Sequence, residues 1–409
     1  MTDHNTAGIV LCNAGRSEWP DRFFVDIGGI PAWQRVGRAL TAAGVDPWFV
    51  LFDEPATAVP GCGAWRCGLP DSDDNVQELG VLCDTAGAGD LLLVSGDRPV
   101  LSAAVLNTLL KKRNSDWDAV VSEDHSIAWF ASARSVLEIL GLILDGEIRW
   151  IDALVDSIRE AGGSIDVVKI SSPDNTALES VSDYAALCAL ANHRVVDRLI
   201  VGGVLIPDRN QVWVDEDARV DAGATLLPGV HIRGTSHIKI GASIGPNAWI
   251  EASDIDEAVV VRYSVVERCH VRSGTTVGPY AHLRDGADIG PNARIGNFVE
   301  VKASRIERDV KAAHLSYIGD AEIGENVNVG AGAITCNYDG KGKHKTIVER
   351  DAFIGTNVSL VAPIRIGAGA LLAAGSTITE DVPAGARAFG RARQETKAGN
   401  HEGGRKTNV

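Results

Sequence analysis

Residues 214–250 read VDEDARVDAGATLLPGVHIRGTSHIKIGASIGPNAWI, with an aliphatic residue at every sixth position: Val214, Val220, Leu226, Ile232, Ile238, Ile244 and Ile250. A second series, offset by a register slip, runs Val259, Val265, Val271, Val277, Leu283, Ile289, Ile295 and Val301. A third runs Val348, Ile354, Leu360, Ile366, Leu372 and Ile378, preceded by Ile318-Gly319, Ile323-Gly324 and Val329-Gly330. A helix repeats about every 3.6 residues and a strand about every 2, so neither generates this spacing. A short repeat of an apolar residue followed by a small one predicts a parallel β-helix. Each aliphatic side chain then points inward onto its equivalents in adjacent coils, and the small neighbour lets the chain turn a tight corner.

Upstream of the ladder the pattern changes. Gly8-Ile9-Val10-Leu11, Trp48-Phe49-Val50-Leu51-Phe52 and Leu91-Leu92-Leu93-Val94 read as buried strands, with helical patterns at Ala32 to Ala43 and Ala103 to Lys112 between them. Alternating strands and helices predict an α/β domain with a mainly parallel sheet, whose ligands sit at the carboxyl ends of the strands. An amphipathic helix follows, with Tyr184, Leu187, Ala191, Val195 and Leu199 on one face. The expected division is an α/β domain over 1–181, a linker helix over 182–203, a β-helix over 204–391 and a polar tail over 392–409.

The 409 residues are too many for one core, which agrees with two domains. A formal charge of −15 argues against nucleic acid or an anionic membrane as the partner. The seven cysteines are odd in number and lack CxxC spacing, so reduced thiols are expected rather than a zinc site. No apolar run approaches the roughly 20 residues of a membrane span. No basic-then-apolar leader opens the sequence, and the expectation is a cytoplasmic protein.

In the first domain a strand, then Asn13-Ala14-Gly15-Arg16, then Pro20, and later Ser95-Gly96-Asp97-Arg98-Pro99-Val100, resemble the sugar-1-phosphate nucleotidyltransferases. In that family a Gly-rich loop cradles nucleotide phosphates on backbone N–H groups. The resemblance implies Mg²⁺ at Asp97. Three departures count against an active site. The loop has no second Gly between Gly15 and Pro20, Asp21 follows Pro20 where the family has Lys, and Ser182 falls where the family has an Asn metal ligand. The family's base-binding segment is not recognisable around Gln77-Glu78-Leu79-Gly80. A lone carboxylate is a weak Mg²⁺ site. A relict site on a scaffold domain is therefore the expectation, with Mg²⁺ involved only if that domain is active.

The second domain carries denser motifs. These are Gly278-Pro279-Tyr280-Ala281-His282-Leu283-Arg284, Gly296-Asn297-Phe298-Val299-Glu300-Val301-Lys302 and His314-Leu315-Ser316-Tyr317-Ile318-Gly319-Asp320. Asn326 to Gly332 and Thr335-Cys336-Asn337-Tyr338-Asp339-Gly340 continue the series. Together they resemble the C-terminal half of the bifunctional N-acetylglucosamine-1-phosphate uridyltransferase/glucosamine-1-phosphate acetyltransferase family. The resemblance implies a left-handed β-helix of hexapeptide repeats, a homotrimer, and acetyl-CoA bound between subunits. It implies that Arg284, Lys302 and Lys343 hold the anionic group of the acceptor, whether phosphate or carboxylate. Tyr317, Asn328, Asn337 and Tyr338 would hydrogen-bond the rest of it. His314 would be the general base, and Ala331, Thr356, Ala374 and Arg391 would contact CoA and the oxyanion, Thr356 standing where the family has Ser. The stretch Asn337 to Lys345 breaks the six-residue period, which predicts a projecting loop that carries Lys343 to a neighbouring subunit.

The leading reading is an acetyl-CoA-dependent N-acetyltransferase. Its acceptor is a small anionic amine: a sugar phosphate, or an amino or hydrazino acid of a specialised-metabolite pathway. Competing readings are the full bifunctional enzyme making UDP-N-acetylglucosamine, and a non-catalytic trimeric scaffold. The histidines other than His314 (His231, His237, His270, His282 and His344) lack its motif and read as surface residues, and the tail's Arg393, Lys397, Arg405 and Lys406 read as solubilising.

Overall fold

The computed structural model describes residues 5–12, 20–52, 66–68, 80–137 and 150–396, except positions 82, 86, 115, 171 and 172. The Gly15 loop, Gln77 to Leu79 and the tail beyond Thr396 lie outside these residues. Two compact units divide the chain, Met1–Asp197 with Val214–Glu216, and Arg198–Trp213 with Asp217–Val409.

The first unit holds a seven-stranded sheet. Its order is Arg66–Gly68, Trp48–Phe52, Asn5–Cys12, Ala88–Ser95, Ile127–Phe130, Ala119–Ser122 and Ile165–Val168. Neighbours run parallel except Ile127–Phe130, which is antiparallel to both strands beside it. The central strands bury side chains on both faces, as expected of a sheet covered on two sides. One face packs Ile9, Leu51, Leu91 and Phe130, the other Val10, Val50, Leu92 and Trp129. The helix Val181–Val201 buries Leu187 and Ala191 against Ile27, Ala32 and Val100. The helix expected to be a linker therefore contributes to the α/β core.

The second unit is a left-handed parallel β-helix of three sheets with ten, nine and ten strands. Successive coils stack in register, Arg219 on His237, Asp254, His270, Asp288, Arg305 and Glu322 in turn. These steps advance the chain by 16 to 18 residues. Glu322 then pairs with Ile347, and the longer step is the inserted loop.

The inward ladder corrects one stretch of the sequence reading. Val265 is half-buried and faces out, while Val266 points inward and pairs with Ile250 and Leu283. Val259 is buried but precedes the strand Val260–Val261, and Val261 is the residue stacked between Ile244 and Val277. The core residues there are Ile255, Val261, Val266 and Val271, so some steps shorten to five residues. Adjacent β-branched residues (Val259-Val260-Val261, Val265-Val266) left the phase ambiguous in sequence. At the corners non-glycine residues adopt positive φ, among them Arg268, Asp285, Ala303 and Asp320. The coil register, rather than glycine, imposes that conformation there.

Candidate functional site

The sheet containing His282–Arg284, Glu300–Lys302, Tyr317–Gly319 and Ile334–Cys336 gathers most of the expected acceptor residues. Leu283, Val301 and Ile318 point inward, so Arg284 and Lys302 on the next strand positions face solvent, one above the other. Tyr317 pairs with Glu300 in the coil below. Asn337 donates from Nδ2 to Tyr317 Oη at 3.4 Å and also to Asp320 Oδ2. At the inward position of the next coil a polar residue replaces an aliphatic one. Thr335 Oγ1 accepts the Gly319 N–H at 2.8 Å and donates to the Gly319 carbonyl at 3.0 Å, which satisfies a hydroxyl that would otherwise be costly to bury. A Cβ on Gly319 would lie 2.4 Å from Tyr317 Oη and 2.8 Å from Asn337 Nδ2. That position must be small for these two side chains to meet.

The inserted loop folds back on its own chain. His344 N–H donates to the Asn337 carbonyl at 2.7 Å, and Tyr338 and Lys343 form an antiparallel bridge. Asp339 caps the turn, accepting from the N–H groups of Lys341 and Gly342 at 2.8 Å each and from His344 Nε2 at 2.8 Å. The Gly342 and Lys341 amides and the His344 ring hold its carboxyl well below the usual carboxylate range. Lys343 is thereby brought against Lys302 of the same chain, and the neighbouring ammonium lowers the Lys302 pKa. Within one chain, Lys302 and Lys343 thus belong to the same cation cluster. Tyr338 is exposed at the loop's base. Asn328 lies on a different sheet, paired with Lys311 and Phe353, and does not join this face.

His314 ends the strand Lys311–His314 in that second sheet, immediately before a corner. Asn297, its register partner one coil below, places Oδ1 2.5 Å from His314 Nδ1. An amide oxygen only accepts, so Nδ1–H donates to it, and in the neutral ring Nε2 is then the nitrogen that can accept a proton. Other histidines of the β-helix have a different kind of partner. His237, His270, His282 and His344 each place Nε2 on a carboxylate, of Asp221, Asp256, Glu267 and Asp339 respectively. His231 stacks on Trp249. Those partners place a formal charge beside the ring, whereas Asn297 engages Nδ1 with an uncharged acceptor. Asn297 stood in a quoted motif but was given no role from sequence, because only the coil register puts it under His314.

The same corner carries the expected cofactor residues upward. The Leu315 carbonyl accepts from Gly332 N–H, that of Ala331 from Asn357 N–H, and that of Thr356 from Gly375 N–H. Ala331, Thr356 and Ala374 thus stack in consecutive coils. Arg391 Cδ would lie 3.8 Å from a Cβ on Gly375. At about 4.8 Å per coil the column extends roughly 14 Å from Ala331 to Arg391. Exposed Thr356, Ala374 and Arg391 leave that edge open to an extended ligand.

In the first unit, Asp97 follows the strand Ala88–Ser95 and is buried. Its Oδ1 accepts from Ser95 Oγ at 2.7 Å and lies 3.2 Å from Arg98 Nε, an ion contact without hydrogen-bond geometry. The buried Arg98 guanidinium also donates to the Asn175 carbonyl at 2.7 Å and lies 3.4 Å from Asp124 Oδ2. Burial raises the Asp124 pKa, but Ser122, Ser126 and Arg98 outweigh it and hold the carboxyl below its usual range. Among the described residues no three His, Cys, Asp or Glu side chains are arranged to hold a metal. Asp97 Oδ1 is thus shared between a hydroxyl and a guanidinium, and the Gly15 loop expected beside it lies outside the described residues. Ser182 sits in the first turn of the helix Val181–Val201.

Residues 268–303 match the family model for bacterial transferase hexapeptide (six repeats), and residues 345–380 match the hexapeptide repeat of succinyl-transferase. The bifunctional protein GlmU of Exiguobacterium sp. is 44% identical over 248 residues, covering 60% of this chain and 55% of that protein. The chain therefore spans little more than half the length of that relative. The GlmU of Nitratidesulfovibrio vulgaris is 34% identical over 352 residues, 76% of this chain and 77% of that one. That of Thermoanaerobacter pseudethanolicus is 36% identical over 355 residues, with the same two coverages. No described helix is long and apolar enough to cross a membrane.

Proposed function

As the chain belongs to the bifunctional GlmU family, we propose that it is an acetyl-CoA-dependent N-acetyltransferase acting on the amine of a small anionic acceptor. The observation that carries this reading is the His314–Asn297 pair, in which an uncharged amide oxygen engages Nδ1 and leaves Nε2 as the nitrogen to serve as base at the foot of an open column. Acetyl-CoA supplies the activated thioester. Its carrier chain would lie along Ala331, Thr356, Ala374 and Arg391, with a backbone N–H of that edge as oxyanion donor. His314 Nε2 takes the proton the acceptor nitrogen loses as its bond to the acetyl carbon forms. The proton then leaves with the CoA thiol as the C–S bond breaks. Arg284, Lys302 and Lys343 hold the acceptor's anion, and Tyr317 and Asn337 orient it. Asn328, one coil above Lys311 on the His314 sheet, would approach the acceptor from that side.

We assign the working unit as a homotrimer in the cytoplasm. An exposed apolar edge supports trimerisation: Tyr263 lies tilted against Tyr280 with ring centroids 5.8 Å apart, Tyr280 stacks on Phe298 at 5.4 Å, and exposed Leu315 follows. Contiguous apolar surface of this kind marks an interaction site.

Thiol release from acetyl-CoA, measured across amino sugars, sugar phosphates and amino acids, tests the reading. Transfer to at least one anionic amine is expected, with His314→Ala losing about 10²- to 10⁴-fold in rate. Silence across the panel, or an unaffected His314→Ala, refutes it in favour of a scaffold. Nucleotidyl transfer is not part of the proposal, on the strength of the Asp97–Arg98 contact. Pyrophosphate release from UTP, Mg²⁺ and N-acetylglucosamine-1-phosphate would restore the bifunctional reading.

A further inference from the structure

The cation cluster expected to receive the acceptor's anion already contains an anion of its own. Asp285 Oδ1 lies 3.0 Å from Arg268 Nη2, and Oδ2 lies 2.7 Å from Arg284 Nη1 and 3.7 Å from Lys302 Nζ. Glu300 takes the other side of the Arg284 fork, with Oε1 2.8 Å from Nε and 2.7 Å from Nη2. Arg284 therefore has donors committed to carboxylates on both sides. Asp320 is the third carboxylate here, and it acts on Lys343. Four cations (Arg268, Arg284, Lys302 and Lys343) face three carboxylates, which leaves at most one net positive charge. Arg268 is further shared with Glu267 and Glu251.

Asp285 is held there by the fold rather than by chance rotation. It is a corner residue at φ 55°, in the column Arg268, Asp285, Ala303, Asp320 where successive coils turn. The Gly286 N–H donates to the Arg268 carbonyl and the Ala303 N–H to the Arg284 carbonyl, fixing the corner from below and above. Its carboxyl is held below the usual range, first by the hydrogen bond from Arg268.

Resting on the acetyltransferase reading, we propose that Asp285 sets the acceptor class. The site takes an amine bearing one negative charge, a carboxylate, and discriminates against a phosphate dianion. A monoanion matches the single net charge. A dianion brings its second charge against Asp285, whose displacement would strip Arg268 and Arg284 of their partner.

The test compares wild type with Asp285→Asn, which keeps the shape and removes the charge. Glu307→Gln serves as control: its partner Arg305 sits on another sheet. Acetyl transfer is measured with D-glucosamine 1-phosphate, 2-amino-2-deoxygluconate and neutral D-glucosamine. Binding of glucose 1-phosphate and of gluconate is measured separately by calorimetry, which needs no turnover. The wild type is expected to favour the carboxylate in both arms. Asp285→Asn should shift the ratio about tenfold toward phosphate, with Glu307→Gln and the neutral sugar unmoved. A ratio unchanged within twofold by Asp285→Asn, in transfer and binding alike, overturns the role of Asp285 while leaving acetyl transfer intact. A shift in binding with no transfer to any amine keeps the Asp285 assignment and refutes the acetyltransferase reading. Binding of neither anion overturns both.

Discussion

Asn297→Asp would give His314 the kind of partner that His237, His270, His282 and His344 have, and the consequence is calculable. The Asn297 Oδ1 sits 2.5 Å from His314 Nδ1, so a carboxylate there lies about 4 Å from the centre of an imidazolium charge. Two unit charges at that distance interact by about 1 kcal/mol in water and about 4 kcal/mol at an effective dielectric near 20. His314 is exposed, so solvent screening selects the low end. About 1 kcal/mol raises the histidine by somewhat less than one pH unit. Only the neutral ring accepts a proton, so a raised value removes base at low pH. The acidic limb of kcat/KM against pH should move up by roughly half to one unit, with rates converging on wild type well above it. Asn297→Ala makes a different prediction. It loses only the orienting hydrogen bond, about 0.5–1.5 kcal/mol, hence about 2- to 10-fold at every pH with no shift of the limb. The assay is thiol release from acetyl-CoA between pH 5.5 and 9. An unmoved limb in Asn297→Asp, or an Asn297→Ala loss as large as that of His314→Ala, would refute the argument that Asn297 fixes the tautomer.

Further outcomes follow from the coil register and the buried pairs. Val266→Asp puts an unpaired charge at a fully buried position and should cost at least about 3 kcal/mol, while Val265→Asp should cost less than about 1 kcal/mol; thermal melts followed by circular dichroism separate the two. Gly319→Ala should displace Tyr317 and Asn337, raising the acceptor KM about tenfold, an overpacking effect, with the melting temperature little changed. Asp339→Ala should free the Lys343 loop, seen as faster tryptic cleavage at Lys341 and Lys343. Because the folded-state Asp339 value is lowered, its contribution to loop order is present above the ordinary carboxylate pKa of about 4 and lost as pH falls through the lowered value; in wild type the loop's order, followed by its NMR signals, should be lost only in that acid range. Arg98→Leu leaves Asp97 buried without a cation and should lower the stability of the first unit by about 3 kcal/mol, read by denaturant melts.

The fold was legible because a ladder of one residue type at fixed spacing admits few structures. Its phase was less secure where two β-branched residues adjoin, and Val265 and Val266 exchange roles for that reason. The residues proposed to face the acceptor were read from ordered motifs. Asn297 and Asp285 were not. Asn297 meets His314, and Asp285 meets Arg268 and Lys302, each 17 residues away along the chain, and a change of one residue in a coil's length would put different side chains in contact. The Arg98–Asp97 contact was equally hidden, since adjacent residues in sequence need not meet until a buried carbonyl such as that of Asn175 fixes one of them.

Sequence by itself determined the β-helix, the α/β domain before it, and the interruption after Val329, all of which follow from hydrophobic period. Tertiary structure decided the local chemistry: the amide under His314, the carboxylate among the cations, and the folding of the Lys343 loop onto its own chain. The physical reason is that hydrophobic patterning depends on spacing along one chain, whereas charge and hydrogen bonding act across coils, where register alone sets which groups meet.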